Sequence, residues 1–271
     1  MEVIERNIEL GHGGMAAIYP LGDIHLGAVH CDEDAIERKV EQIRTQKNAY
    51  WIGMGDYAEC ITKNDPRFQG EVLSDWVAHD DIVECQRKRV VALFKPIAGK
   101  CISMLTGNHE ESIHIHHQDN ITKHICDDLG VPWGGYAAFI LLKFSRPGST
   151  ERHDVTIHAW HGAGAAQTYG ARVQRLSRLV LAIQADVYLM GHLHSMESLP
   201  PAKLGLRNGK VKHLPLIATI TGSWLKTYMQ GVPTGYGERQ GYMPSTIGCP
   251  TIIIQPESNV IKLELSQVMG R

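Results

Sequence analysis

The apolar positions of this chain fall in short runs that end on polar, glycine-bearing motifs. Met15 to Leu21 is one such run, closing at Gly22-Asp23, and it predicts a buried strand. Residues 2 to 10 predict an edge strand ahead of it. Between residues 34 and 49, Ile36, Val40 and Ile43 recur at helical spacing. Runs at 50–54 and 101–105 predict two further strands. Residues 71–95 predict a helix with Val83, Val90, Leu93 and Phe94 on one face, and 119–129 a shorter one through Ile121, Ile125 and Leu129. The first half thus predicts strand, helix, strand, helix, strand, the order of a layered α/β fold.

The second half changes character. Strands are predicted at 137–144 and 154–160, separated by the turn residues Pro147-Gly148-Ser149-Thr150. A helix follows over 171–184, with Val173, Leu176, Val180 and Ile183 inward, then a strand at 187–190. Further strands are predicted at 211–220, 250–255 and 259–265. Periodicity fails over 221–248, which is rich in Gly, Tyr and Pro and predicts a long loop region.

Composition adds boundaries. A chain of 271 residues fits one large domain, so we expect a single domain over 1–271. The formal net charge of −2 excludes a global field that would recruit nucleic acid. Six cysteines at irregular spacing, with no C-x-x-C, predict free thiols in a reducing compartment. The acidic, run-free start and the lack of any long apolar stretch predict a cytoplasmic protein with no membrane partner.

The candidate chemistry lies where the predicted strands end. Five motifs occur in order: Asp23-Ile24-His25, Gly55-Asp56, Gly107-Asn108-His109-Glu110, Trp160-His161-Gly162 and Gly191-His192-Leu193-His194. They supply two Asp, one Asn and four His as ligands, with His109 in addition. That set suffices for two metal ions sharing one carboxylate. Mixed imidazole and carboxylate donors suit manganese, iron, zinc, nickel or cobalt, with manganese the expected ion, and argue against calcium or magnesium alone. Strand alternation predicts that Asp23 and His25 share a face, as do His192 and His194. The glycines before Asp56, Asn108 and His192 predict sharp turns.

These motifs resemble the signature of the calcineurin-like metallophosphoesterase superfamily, D-x-H, G-D, G-N-H-[DE], H, G-H-x-H, across residues 23 to 194. The resemblance implies a β-sandwich flanked by helices. It implies that Asp23, His25, Asp56 and His194 hold one metal and Asp56, Asn108, His161 and His192 the other, with His109 catalytic. It further implies hydrolysis of phosphomonoesters or phosphodiesters. The chemistry fits: a water shared by two such ions ionises near neutrality, and the ions neutralise the phosphoryl oxygens during attack.

The protein Ser/Thr phosphatase branch of that superfamily carries G-D-x-x-D-R-G. Glu59 stands at its acidic position, which implies that Glu59 orients His109, and Cys60 stands where that branch has a phosphate-binding Arg. A dianionic monoester benefits most from such a fixed cation, so its absence favours phosphodiesters. Asp23-Ile24-His25-Leu26-Gly27 resembles the start of the break-repair nuclease branch, which makes a DNA or RNA nuclease the first alternative; a non-catalytic scaffold is a second. His114, His116 and His117, just after the Asn-His pair, are candidates to line the substrate entrance. Arg172, ahead of Arg175 and Arg178 on the helix after His161, is a candidate phosphate contact. Tyr228, Tyr236 and Tyr242 in the late loop are candidates to stack on an aromatic group. The expected partner is a small phosphoester, nucleotide-like in one form, rather than nucleic acid.

Overall fold

The computed structural model describes residues 1–265. In chain order its strands are β1 (Glu2–Glu9), β2 (Ala16–Leu21), β3 (Ala49–Gly53), β4 (Cys101–Met104), β5 (Ala137–Ser145), β6 (Arg152–Trp160), β7 (Val187–Met190), β8 (Ser198–Leu199), β9 (Ala202–Arg207), β10 (Lys210–Pro215), β11 (Ile217–Ile220), β12 (Thr251–Gln255) and β13 (Val260–Glu264). Its helices are α1 (Glu33–Thr45), α2 (Ile82–Phe94), α3 (Asn108–His117), α4 (Ile121–Leu129), α5 (Tyr169–Ala182) and α6 (Tyr236–Arg239).

Two sheets face each other. One runs β13-β12-β2-β3-β4 and the other β1-β5-β6-β7-β11-β8. Between them Ile18, Ile52, Met54 and Ile102 meet Ile140, Leu142, Ile157 and Leu189 in one apolar layer. The outer face of the five-stranded sheet, through Tyr19 and Trp51, is covered by Ile36 and Ile43 of α1, Val90 and Phe94 of α2 and Ile125 of α4. The outer face of the other sheet, through Tyr188 and Ile220, is covered by Leu176 and Val180 of α5. The fold is therefore an α/β β-sandwich flanked by helices, as the sequence implied.

Strand composition follows from this layering. β2 lies between sheet partners and is covered on both faces, so all six of its residues are buried and its sequence reads as a continuous apolar run. β5 alternates buried and half-buried residues along its length. Among the described residues no helix is long and apolar enough to cross a membrane. None of the six cysteines forms a disulfide.

Besides the single-turn helix α6 inside the expected 221–248 loop and the two-residue strand β8, the structure departs from the sequence pattern at three places. The helix expected over 71–95 begins only at Ile82. Before it, Leu73 bridges to Ala28, and Ser74 donates to the Gly27 carbonyl at 2.9 Å, so tertiary pairing with a neighbouring loop overrides local periodicity. The strand expected over 211–220 is two strands, β10 and β11, that belong to different sheets. β10 pairs with β9, and the two turn about Asn208-Gly209, both at positive φ (53° and 71°). That Asn-Gly pair is the hairpin signal that would have revealed β9. Finally, α3 was not anticipated as a helix; it starts at Asn108 itself.

His158 on β6 makes a stability test. It is 1% exposed, its ring faces Phe139 with centroids 5.1 Å apart, and neither ring nitrogen has a partner. Burial lowers its pKa below the usual 6.5. Protonation therefore favours the unfolded chain: His158 adds no pH-dependent penalty above about pH 6.5 and weakens the fold as pH falls below it. His158→Phe should gain on wild type in urea midpoint between pH 7 and pH 5. A gap that stays constant with pH would show that His158 does not titrate on unfolding.

Candidate metal centre

The five motifs meet because of strand order. β2, β3 and β4 are parallel neighbours in one sheet, and β6 and β7 are parallel neighbours in the other. Their carboxyl ends lie at common edges, where α/β folds place ligand sites. Beyond those ends the loops are laced together. Asp23 N–H donates to Gly55 O at 2.9 Å, and Ile24 and His25 N–H donate to Asp56 O at 2.8 and 3.1 Å.

Strand alternation is not what converges the paired ligands. β2 stops at Leu21 and β7 at Met190, so Asp23, His25, His192 and His194 all sit on loops. Each is held at positive φ, 49°, 55°, 69° and 48°, as is Asp56 at 52°. Five non-glycine residues in the left-handed region at one site mark backbone strain concentrated where side chains must converge. The glycines serve in two ways. Gly55 takes φ +93°, whereas at Gly107 the need is space, since a Cβ there would lie 2.1 Å from Asp56 Oδ1.

Two clusters result. Asp23, His25, Asp56 and His194 each offer a ligand atom within 4.8 Å of the others, and Asp56, His161 and His192 do the same. His25 Nε2 lies 3.2 Å from His194 Nε2 and 3.8 Å from Asp56 Oδ2, and His194 Nε2 lies 3.4 Å from Asp23 Oδ1. In the second cluster His161 Nε2 lies 3.4 Å from Asp56 Oδ2 and 3.0 Å from Asn108 Oδ1. Donors about 2.0–2.2 Å from an ion sit roughly 3–3.6 Å apart around it, and these separations fit coordination edges apart from the wider His25–Asp56 one at 3.8 Å. His192 adds a buried Nδ1 with no partner. The donor set thus fits two ions with Asp56 common to both.

Electrostatics agree with a site built for cations. Burial raises the Asp56 pKa, but the His161 and His109 charges outweigh it and hold the carboxyl well below the usual range. Burial lowers the His161 pKa, and Asp56 more than reverses this, to about 9. Burial and the His161 charge push His192 down to about 4. Two buried carboxylates need compensating positive charge, and metal binding would displace the proton that His161 carries.

A surrounding set of hydrogen bonds aims the rings. His25 Nδ1–H donates to Glu59 Oε2 at 2.8 Å, leaving His25 Nε2 for the cluster. His161 Nδ1 donates to Met54 O at 2.7 Å. His109 Nδ1 donates to the backbone carbonyl of Glu59 at 2.5 Å, while the Glu59 carboxylate is 4.0 Å away. Glu59 was expected to orient His109 through its carboxylate; that carboxylate serves His25 instead, and the peptide carbonyl serves His109. Glu110, whose role the sequence did not reveal, accepts N–H groups of Asp56, Tyr57, Ala58 and Gly107 at 2.7–3.2 Å. Burial and the Asp56 charge raise its pKa to about 7, against those donors.

A cavity of about 550 Å³ opens from the clusters, lined by His25, Asp56, Asn108, His109, His192 and His194. Of the expected substrate contacts, Arg172, Tyr236 and Tyr242 line it. His114, His116 and His117 do not: α3 turns them to the solvent side, where they are exposed. Arg172 is also committed elsewhere, donating to Ala166 O at 3.0 Å and Glu197 Oε1 at 3.1 Å, so it braces the wall. Tyr228 lies off the wall and bonds Tyr242 O at 2.8 Å. Arg67, Lys226 and Tyr136 line the cavity without having been anticipated; no periodicity or motif marks them.

No protein-family model and no curated protein matches the sequence. Among the solved structures that are similar to it are these two. One is a conserved uncharacterized protein of Streptococcus pneumoniae, a predicted phosphoesterase, 14% identical over 89% of this chain and 84% of that one, with a TM-score of 0.35. The other is Vps29 of Entamoeba histolytica complexed with zinc, 11% identical over 92% of this chain and 97% of that one, with a TM-score of 0.39.

The Glu59–His25 bond predicts a measurable effect on metal. Glu59→Gln should weaken binding at the first cluster by about 10- to 100-fold, as loss of such outer partners does. Titration of the metal-stripped protein with manganese reads this directly, and unchanged affinity would remove Glu59 from the ligand-orienting set.

Proposed function

We propose that the chain is a metal-dependent phosphoester hydrolase of the calcineurin-like type, and that it prefers phosphodiesters. The observation that carries this is the pair of ligand clusters joined through Asp56 with His109 beside them. The chemistry such cations supply is a water acidic enough to ionise near neutrality and neutralisation of charge on the phosphoryl oxygens.

The chain's own residues do the rest. Asp56 directs Oδ2 toward His25 and His161 while Oδ1 accepts the His109 N–H at 2.9 Å, so one carboxylate spans both clusters in fixed orientation. His109 spends its Nδ1 proton on the Glu59 carbonyl, which leaves Nε2 to exchange a proton with the substrate. Acting as general acid there, it donates to the departing oxygen. The Ala163–Ala166 segment, held by Arg172 and Arg175, forms a fixed wall against which the organic group rests.

The diester preference rests on charge. Cys60 is 4% exposed, and burial holds its thiol well above its usual pKa, so that position offers no cation. A diester brings one negative charge, which the two metal positions can balance unaided. A cytoplasmic setting belongs to the same reading, supported by six cysteines at irregular spacing with no C-x-x-C.

Replacing Asp56 with Ala should abolish turnover and lower the metal content of the supplemented protein from two ions per chain. One ion or none in an active wild-type preparation would end the two-metal scheme. His109→Ala should keep its metals yet lose about 10²- to 10⁴-fold in rate, most with poor leaving groups; loss explained wholly by missing metal would make His109 a ligand.

With leaving group, metal and pH matched, kcat/KM should be higher for an aryl phosphodiester than for the monoester. A monoester preference would overturn the diester assignment, and tight binding with digestion of duplex DNA at physiological salt would replace it with a nuclease.

A further inference from the structure

Arg67 is the cation the sequence did not place. It lines the cavity in the segment between Ile61 and Leu73, well after Cys60. Asp65 holds it from below: Nε donates to Oδ1 at 3.0 Å, Nη2 to Oδ2 at 2.7 Å, and the Arg67 backbone N–H to Oδ1 at 2.8 Å. This fork fixes the guanidinium plane and leaves Nη1 uncommitted to Asp65. Its side chain keeps 37% exposure, against 16% for Asp65, so it remains reachable from the cavity.

The segment that carries Arg67 runs on directly from Glu59 and Cys60, and the Glu59 carbonyl is the group that holds His109 Nδ1. Arg67 and His109 line the same cavity, so this segment approaches it from the His109 side. If His109 delivers the proton to the departing oxygen, that is the side on which the leaving group lies. The same wall carries Phe68 and Leu73. A cavity of about 550 Å³ is far larger than a phosphoryl group and falls within the range of sites that enclose an organic ligand.

Resting on the hydrolase assignment above, we propose that this wall is a leaving-group subsite in which Arg67 selects phosphoesters whose leaving group carries its own negative charge, a carboxylate or a further phosphate. A neutral leaving group of the same shape would fill the apolar wall and leave the guanidinium unused.

The test uses the full-length, manganese-loaded protein and two aryl phosphodiesters that differ only in a carboxylate or a carboxamide on the leaving phenol, with the substituent tried at the meta and para positions. Wild type should favour the carboxylate by roughly 10- to 100-fold in kcat/KM, the range of one charge-assisted hydrogen bond. Arg67→Gln should collapse that ratio toward one, and Arg67→Lys should retain part of it. Calorimetric binding of the two free phenols gives a second readout that needs no turnover, and the carboxylate phenol should bind more tightly only while Arg67 is present. An absent carboxylate preference overturns the subsite. So does an equal loss for both esters in Arg67→Gln, which would put Arg67 on the scissile phosphoryl group. If neither ester is hydrolysed while the Arg67-dependent phenol binding holds, the subsite stands and the hydrolase assignment falls.

Discussion

The architecture of the site depends on burying two carboxylates within reach of each other. Asp23 and Asp56 are 0% and 1% exposed. Like charges out of water are costly unless cations and hydrogen-bond donors surround them. Here four imidazoles converge on the pair, and backbone amides take up the remaining lone pairs: His109 N–H on Asp56 Oδ1, and His192 N–H on Asp23 at 2.8 and 3.1 Å to its two oxygens. Asp56 is the knot of this arrangement. Its carboxylate joins both clusters, its carbonyl accepts from the Asp23–His25 loop, and its amide donates to Glu110.

That knot explains how the strain persists. Five non-glycine residues at positive φ cost about 1 kcal/mol or more each, roughly 5 kcal/mol together. This approaches the low end of a domain's whole stability, about 5–15 kcal/mol. Loops so disposed hold only if other contacts over-determine them. The reciprocal bonds among the loops after β2, β3 and β7 do this, with Glu110 accepting four N–H groups at once. A rigid base is equally needed, and the apolar layer between the sheets supplies it, since every ligand loop leaves a strand embedded in that layer.

The cavity above the clusters draws on further parts of the chain. The cavity roof comes from the segment between Ile61 and Leu73 and from the late loop, tied together where Arg239 donates to Gln69 at 2.6 Å. Neither wall belongs to the sandwich. Strand-end loops place the candidate ligands, and the cavity above them is shaped by the longer excursions together with the Ala163–Ala166 segment of the loop after β6.

The sequence by itself determined the layered fold and marked the candidate ligands. Both are local signals: buried strands such as β2 are continuous apolar runs because both faces are covered, and each ligand sits just beyond one. The residues that the resemblance groups around each candidate metal position also lie together in space, with Asn108 beside His161. What only tertiary structure decided is which group each side chain faces. Glu59 lies beside His25 and His109 in space, and its spacing in the chain does not say which one its carboxylate will meet. The His114–His117 cluster depended on where α3 begins, a start fixed by Asn108 entering the site. Residues 73–81 left the helix because they pair with Gly27 and Ala28, partners more than forty positions away. Arg67 carries no motif, because a cation becomes part of a site through the folding of its loop over the cavity, and no short-range pattern records that contact.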